Sequence, residues 1–203
     1  KNYLIFDFGA SNGRSAVARF DGDRFDIEVT HRFNNIPVYA AGTLHWVILR
    51  LYSELMIGIQ SSVKKYKDIT SMALDTWGAD FGFIDSNGKL ISNPVHYRDE
   101  KRKVDADSLY KIISREELFE LTGATIIPIF DLFHLYSLKL QNAPEFVNGD
   151  RFLTIPDIFN YFLTGRVYNE YTRITTSVMY NQKEGKWEDR IFDRLDLPRN
   201  IFP

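Results

Sequence analysis

The first 75 residues alternate short apolar segments with glycine-containing turns, and this pattern limits the available folds more than any other feature. Residues 3–6 form an apolar run typical of a strand buried on both faces. A turn-rich stretch leads into a second strand over residues 15–20, and Asp21-Gly22 is a hairpin signal before a third strand over 24–30. The order strand, turn, strand, hairpin, strand predicts an antiparallel meander.

A helix and further strands follow the meander. Apolar residues recur at spacings of three and four over residues 46–66, which predicts an amphipathic helix with one buried stripe. Short apolar runs predict strands over residues 71–74 and 81–84, and a turn after the latter leads to a third apolar segment over 89–91.

Beyond residue 100 the pattern becomes helical. Ser114 and Glu117 form a capping box, and Gly123 is a suitable helix end. The other predicted helices are 130–141, a helix opening at Pro156 and ending at Gly165, and 188–195. The chain reads as one domain of strands followed by helices, with a helical subdomain over about residues 100–165.

Charge and composition exclude several classes of protein. The 203 residues carry a net charge of −2, so no global positive field attracts nucleic acid or anionic lipid. No apolar run reaches the ~18 residues of a membrane span. The absence of cysteine rules out disulfides and thiolate metal sites. We expect a cytoplasmic protein. Because the sequence starts at Lys1 and stops at Pro203, we also expect a fragment.

The loop over residues 7–14, Asp-Phe-Gly-Ala-Ser-Asn-Gly-Arg, has the groups that a phosphate site uses. Gly9 and Gly13 would let the backbone turn sharply and approach a ligand, and successive N–H groups in such a turn can bind an anion. Arg14 adds positive charge, and Asp7 can hold Mg²⁺ through water. A plain hairpin with a polar tip explains the same composition equally simply.

Two more segments carry polar and aromatic groups suited to a sugar. Residues 75–81 read Asp-Thr-Trp-Gly-Ala-Asp-Phe and combine carboxylates, a hydroxyl and an indole in one connection, which suits a small polar pocket or a tight turn around a packed tryptophan. Residues 94–103 form either a site-lining loop or a solvated charge run. His134, in an apolar helix, reads as a satisfied core or pocket-edge histidine.

Taken in order, these segments resemble the FGGY family of carbohydrate kinases. The matching stretches are Asp7 to Arg14, His31-Arg32-Phe33-Asn34-Asn35, Asp75 to Phe81, Tyr97-Arg98-Asp99, Leu163-Thr164-Gly165 and Glu170-Tyr171-Thr172. The resemblance covers nearly the whole chain and corresponds to the N-terminal half of such a kinase, nearest to the members that act on L-rhamnulose. It implies an α/β fold of the actin-like, ribonuclease-H-like type, with a mixed sheet that opens with the antiparallel meander and is flanked by helices.

The resemblance also implies an activity and its residues. The expected reaction is the phosphorylation of L-rhamnulose to L-rhamnulose 1-phosphate with ATP and Mg²⁺. Asp7 would orient Mg²⁺. The residues facing the ATP phosphates would be Ala10, Ser11, Asn12, Gly13 and Arg14. The residues lining the ketose site would be Thr76, Trp77, Gly78, Asp80 and Tyr97.

Several points stay open at this stage. The family's catalytic aspartate, with most of the adenine pocket, would lie in a second half beyond Pro203, so this chain would contain no catalytic residue and have negligible activity alone. The ketose could instead be L-fuculose, D-xylulose or L-ribulose. A non-catalytic, nucleotide-binding relative of actin is the third alternative, and a homo-oligomer is left open. We expect no nucleic-acid or membrane partner.

Overall fold

The computed structural model describes residues 1–103 and 106–203 and divides them into two compact units. The first unit comprises residues 1–38 and 46–77, and the second comprises residues 39–45 and 78–203. The second unit thus begins well before the predicted helical subdomain, because the strand that follows Gly78 pairs with one more than sixty residues further along the chain.

The first unit is a four-stranded sheet covered on one face by a long helix. Its elements are β1 (Asn2–Phe8), β2 (Asn12–Phe20), β3 (Phe25–Asn34), α1 (Ile48–Lys65) and β6 (Ile69–Thr76). The short strands β4 (Val38–Ala40) and β5 (Thr43–His45) lie between β3 and α1 in the chain and, apart from Val38, belong to the second unit. The strand order is β3-β2-β1-β6, in which β1 pairs antiparallel with β2 and parallel with β6. The predicted meander and mixed sheet are confirmed.

Close contact between α1 and the sheet depends on a glycine. A Cβ at Gly58 would lie 2.8 Å from the Phe6 ring and 2.9 Å from the Ser15 hydroxyl, so the helix backbone lies directly on the buried face of β1 and β2. The alternating burial of β1 follows from this contact, since Leu4, Phe6 and Phe8 face the helix. The side chains between them, including Asp7, lie on the opposite and more open face.

The second unit is mainly helical and also contains short two-stranded sheets. Its elements are β7 (Phe81–Ile84), a 3₁₀ turn (Glu100–Lys103), α2 (Ala106–Tyr110), α3 (Arg115–Thr122), α4 (Asp131–Leu140), α5 (Pro144–Val147), β8 (Arg151–Thr154), α6 (Ile155–Thr164), α7 (Tyr171–Ile174), β9 (Tyr180–Asn181), β10 (Lys186–Trp187), α8 (Asp189–Leu195) and a final 3₁₀ turn (Arg199–Ile201). β7 pairs antiparallel with β8, and aromatic rings from both strands meet in the core.

Local signals located the four longer helices α3, α4, α6 and α8, whereas the short α2, α5 and α7 were not predicted. The Ser114 side chain accepts a hydrogen bond from the Glu117 N–H, and Gly123 and Gly165 end their helices in the left-handed conformation. The apolar segment over residues 89–91 pairs with β7 through a bridge between Ile84 and Leu90 and a hydrogen bond from the Ile91 N–H to the Phe83 carbonyl, without forming a longer strand.

No helix within residues 1–103 or 106–203 is long and apolar enough to cross a bilayer.

A buried carboxyl at the start of α6 makes the stability of this unit depend on pH. Asp157 is 1% exposed and accepts hydrogen bonds from the Thr154 hydroxyl and the Glu170 N–H. Burial raises the pKa of Asp157 from 3.8 to about 6, against the opposing effect of these bonds. Because the pKa is higher in the folded state, folding favours the protonated carboxyl group of Asp157. The contribution of this group to the unfolding free energy is therefore complete below pH 3.8 and is lost as the pH rises through 6.

We therefore expect the unfolding free energy of the wild type, relative to Asp157→Asn, to fall by roughly 2–3 kcal/mol between pH 4 and pH 7. Urea unfolding at a series of pH values measures this difference. The exposed Asp193→Asn is the matched control and should leave the pH profile unchanged. A pH-independent difference for Asp157→Asn would contradict the assignment.

Candidate functional site

Asn35 fixes the conformation of the loop between β1 and β2. The Gly9 N–H donates to the Asn12 carbonyl at 2.9 Å, which closes the turn. The Asn35 N–H donates to the Ser11 carbonyl at 3.0 Å, and its side-chain amide donates to the Gly9 carbonyl at 2.9 Å. Because Asn35 is buried, it supports the loop from the protein side and leaves Ser11 and Asn12 exposed.

Gly13 does not take part in the turn, contrary to the prediction for it. It lies within β2, opposite Phe8 on one side and Phe33 on the other, and not in the turn. A Cβ at this position would lie 2.2 Å from the Phe33 ring. Gly13 is therefore required for packing inside the sheet, and the turn itself is formed by residues 9–11.

Four charged residues form a row across the open face of the sheet beside this loop. The strand registers place Arg32 opposite Arg14, Arg14 opposite Asp7, and Asp7 opposite Asp75. The Arg14 guanidinium binds the Asp7 carboxylate at 2.5 and 2.9 Å, and both side chains are about half exposed (47% and 46%). An ion pair this exposed is weak enough for either partner to exchange it for a ligand.

The row lies where two parallel strands end together. β1 ends at Phe8 and β6 at Thr76, and these two residues are opposite each other. A depression of about 390 Å³ lies beside the row, lined by Asn12, Gly13, Arg32, Phe33 and Asn34. Its arginine and amide groups suit an anion with several oxygens. The sequence did not single out Arg32 as a site residue, because only the strand register brings it beside Arg14.

Trp77 is held by a second tryptophan. The Trp46 and Trp77 rings stack with centroids 3.9 Å apart, and Trp46 is fully buried just before α1. One face of the Trp77 indole is thereby covered, and within the described residues its buried Nε1 has no hydrogen-bond partner. The Thr76 hydroxyl donates to the Trp77 carbonyl at 3.2 Å. The sequence pattern predicted Trp46 as the first residue of a helix and did not predict its stacking on Trp77.

Gly78 faces open space. It is exposed, a Cβ added there would meet no heavy atom within 4 Å, and its φ lies outside the left-handed region. Its carbonyl accepts a hydrogen bond from the Thr176 hydroxyl at 3.3 Å. A side chain at this position would therefore project outward without strain, into the space where a small ligand was predicted to bind.

Asp80 departs from the prediction that it lines a ligand pocket. It is completely buried, and its carboxylate forms an ion pair with Arg102 and accepts a hydrogen bond from the Tyr97 N–H at 3.0 Å. The alternative that residues 94–103 form a solvated charge run is wrong for Asp99 and Arg102, which are 5% and 2% exposed. Asp80 positions the neighbouring backbone from inside the protein.

A second buried ion pair is joined to the first. Asp131, at the start of α4, binds Arg173 of α7, with the Arg173 Nη2 2.9 Å from the Asp131 Oδ1. The same carboxylate oxygen accepts from the Asp80 N–H at 3.0 Å, and Arg173 donates to the Asp80 carbonyl at 3.0 Å. Two positive and two negative charges are therefore buried together around the backbone of Asp80.

His96 orders the segment that carries Tyr97. Its Nδ1 accepts from the Arg98 N–H at 3.0 Å, which leaves the proton of the neutral ring on Nε2. Burial, reinforced by the charges of Arg98 and Arg102, lowers the pKa of His96 to about 4, so the ring is neutral at pH 7. Tyr97 remains partly exposed, with the Arg98 guanidinium 5.2 Å from its ring centre.

Comparison with known proteins assigns the fold and then the family. All of the chain superimposes on 41% of a xylulose kinase from Lactobacillus acidophilus (TM-score 0.87, 15% identity) and on 42% of a gluconate kinase from the same organism (TM-score 0.86, 15% identity). The predicted actin-like, ribonuclease-H-like α/β class is thus confirmed. A glycerol kinase from Plasmodium falciparum, solved with ADP, matches with a TM-score of 0.79 and 14% identity over 96% of this chain and 40% of its own length.

Residues 2–203 match the description "FGGY family of carbohydrate kinases, N-terminal domain", and the chain belongs to this family. Among curated relatives, the rhamnulokinase of Oceanobacillus iheyensis is 32% identical over 98% of this chain and 42% of its own length. The rhamnulokinase of Halalkalibacterium halodurans is 32% identical over 99% of this chain and 43% of its own length. The chain therefore spans about two fifths of the length of these relatives, and the family resemblance seen in the sequence is confirmed.

The joined ion pairs generate a stability prediction. Replacing one partner of a buried pair leaves the other charge without compensation, so we expect Arg173→Met to lower the unfolding free energy by about 3–5 kcal/mol. Arg151→Met is the matched control, because Arg151 forms a pair with Asp150 that is 42% exposed on both sides, and it should cost about 1 kcal/mol or less. Chemical denaturation measures both; equal effects would contradict the assigned role.

Proposed function

We propose that this chain supplies the phosphate-binding loop and the ketose-binding segment of an ATP-dependent sugar kinase that acts in the cytoplasm. The observation that carries the proposal is the row of two arginines and two aspartates where β1 and β6 end side by side. Phosphoryl transfer depends mainly on positioning and on compensation of phosphate charge, and this row offers groups for both.

The nucleotide phosphates are assigned to residues 10–14 together with Arg32. Exposed Ser11 and Asn12 offer polar groups, while Arg14 and Arg32 offer positive charge. Asp7 and Asp75 present carboxylate oxygens, the ligand type that Mg²⁺ prefers, either directly or through water. When bound, Mg²⁺ would neutralise part of the charge on the phosphates.

The ketose is assigned to Thr76, Trp77, Gly78 and Tyr97, with L-rhamnulose as the first candidate. The rhamnulokinase relatives support this sugar, and the space at Gly78 supports a ligand at that position. L-Fuculose, D-xylulose and L-ribulose differ from it by a few hydrogen bonds, each worth about 0.5–1.5 kcal/mol, and remain alternatives. Asp80 is given a positioning role, since it holds the Tyr97 backbone without reaching the surface.

The base that takes the proton of the sugar hydroxyl is assigned, on the family resemblance, to a second half of the enzyme. This assignment leaves the 203 residues with binding functions and no group for proton abstraction. We therefore expect the isolated chain to bind its ligands without measurable turnover.

Gly78 offers a clean test of the ketose site. Because a side chain there is unstrained, Gly78→Val should leave the stability unchanged and weaken binding of L-rhamnulose by about tenfold or more through occupation of the pocket. Binding of MgATP should not change. Isothermal titration calorimetry on the 203-residue chain measures both affinities, with Ser71→Val, an exposed residue of β6, as the control.

Two results would contradict the proposal. Equal ketose affinity in Gly78→Val and the wild type would remove Gly78 from the site. Binding of MgATP by the wild type without a response to any of the four ketoses would favour the non-catalytic nucleotide-binding alternative.

A further inference from the structure

The two stacked tryptophans of the first unit join elements that are distant in the sequence. Trp77 directly follows β6, and Trp46 lies two residues before α1. Their ring centroids are 3.9 Å apart, and the angle between the ring planes is 28°. The stack therefore ties the start of α1 to the end of β6, and both tryptophans belong to the same compact unit.

Trp46 is the fixed member of the pair. It is completely buried, whereas Trp77 is partly exposed. The helix that follows Trp46 lies directly on the sheet, since a Cβ at Gly58 would lie 2.8 Å from the Phe6 ring. A buried ring in a close-packed interior has little freedom to change its conformation. Trp46 therefore presents a fixed surface against which the Trp77 indole lies.

The stack limits what Trp77 can present to a ligand. Trp77 lies where the chain leaves β6 towards the exposed Gly78, and an indole at such a position could otherwise adopt several rotamers. Contact with Trp46 covers one face of the indole. Only the opposite face and the ring edge remain for a ligand.

The surface that the Trp77 indole offers is apolar. Its Nε1 is the only polar atom of the side chain, and this atom is buried. Any part of the ring that reaches a ligand therefore consists of carbon and hydrogen. Such a surface favours C–H groups and disfavours a hydroxyl that would lose its hydrogen bonds to water there.

The four candidate ketoses differ in the group that they can place on this surface. At the end of the carbon chain far from the carbonyl, L-rhamnulose and L-fuculose carry a methyl group. D-Xylulose and L-ribulose carry a hydroxymethyl group at that end. An apolar indole therefore favours the first two, which are 6-deoxyketoses.

We propose that Trp46 is a positioning residue of the ketose site, which holds the Trp77 indole so that its carbon surface receives the methyl group of a 6-deoxyketose. The inference rests on the proposed function, because it takes Trp77 as a ketose contact. It adds a residue that has no access to the ligand itself. Since β1 and β6 of the same unit end beside the phosphate row, the stack would also fix the sugar relative to the phosphates, as group transfer requires.

Circular dichroism tests whether the stack exists in solution. Two indoles in contact couple electronically and give a pair of bands of opposite sign in the far ultraviolet. The third tryptophan, Trp187, packs against the rings of Tyr180 and Phe202, so the pair of Trp46 and Trp77 is the expected source of these bands. Trp46→Phe should abolish the bands and Trp187→Phe should retain them. Absence of the bands from the wild type, or their persistence in Trp46→Phe, would overturn the inference.

Calorimetry on the 203-residue chain tests the effect on binding. Trp46→Leu removes the stacking ring and should weaken L-rhamnulose binding by about tenfold while leaving MgATP affinity unchanged. Trp46→Phe keeps one aromatic ring and should have an intermediate ketose affinity. Leu55→Ala is the matched control, because it removes buried packing from α1 of the same unit. It should lower the unfolding free energy and leave both affinities unchanged.

The choice of ketose gives a readout that loss of packing alone would not change. The wild type should prefer L-rhamnulose to D-xylulose, and this preference should shrink in both Trp46 variants. If Trp46→Leu does not fold, Trp46→Phe carries the test, with an expected loss of about threefold in L-rhamnulose affinity.

Three binding results would overturn the inference. These are wild-type ketose affinity in the Trp46 variants, equal losses of ketose and MgATP affinity, or an unchanged preference between L-rhamnulose and D-xylulose. Each of them leaves the proposed function standing, provided that the wild type binds a ketose and Gly78→Val weakens that binding. Absence of ketose binding by the wild type would contradict the proposed function and this inference together.

Discussion

The buried ion pairs Asp80–Arg102 and Asp131–Arg173 determine the arrangement of the second unit. They bring together segments that are 22 and 42 residues apart in the chain, and both contact the backbone or side chain of Asp80. Asp80 has a φ of 73°, a left-handed conformation that costs an ordinary residue of order 1–3 kcal/mol. The hydrogen bonds to its N–H, its carbonyl and its carboxylate offset that cost.

This arrangement explains why neighbouring residues have different roles. Gly78 is exposed and Asp80 is completely buried two residues later, because the left-handed turn at Asp80 directs its carboxylate to Arg102. Once Asp80 is fixed, its carboxylate also holds the N–H of Tyr97. The buried ion pair of Asp80 and Arg102 thus holds the backbone of the partly exposed Tyr97 in place.

Burial separates the structural charges of this chain from those available to a ligand. Asp7 and Arg14 also form an ion pair, but their half-exposed pair contributes little to stability and can exchange with a ligand. Asp80 and Arg102 have no such freedom, since separating them would leave charges without compensation inside the protein. Residue type alone does not distinguish the two pairs.

The sequence therefore predicted elements and loops better than the roles of single charged residues. Periodicity and capping located α1, α3 and α6, because those signals are local. The ion pair between Asp80 and Arg102 joins residues that are distant in the sequence, and Arg14 lies beside Arg32 only because of the register between two strands. A local sequence pattern contains neither piece of information. The role of Gly13 was missed for the same reason. Only glycine fits at this position because the Phe33 ring of the neighbouring strand fills the space of a side chain.

Residue-resolved NMR titration of the 203-residue chain tests the central claim, that separate short segments following β1 and β6 bind phosphate and sugar. Saturation with MgATP should move the backbone amide signals of Ala10, Ser11 and Asn12, and L-rhamnulose should move those of Thr76, Trp77 and Gly78. If both ligands moved the same signals, or if neither segment responded, the account would be wrong.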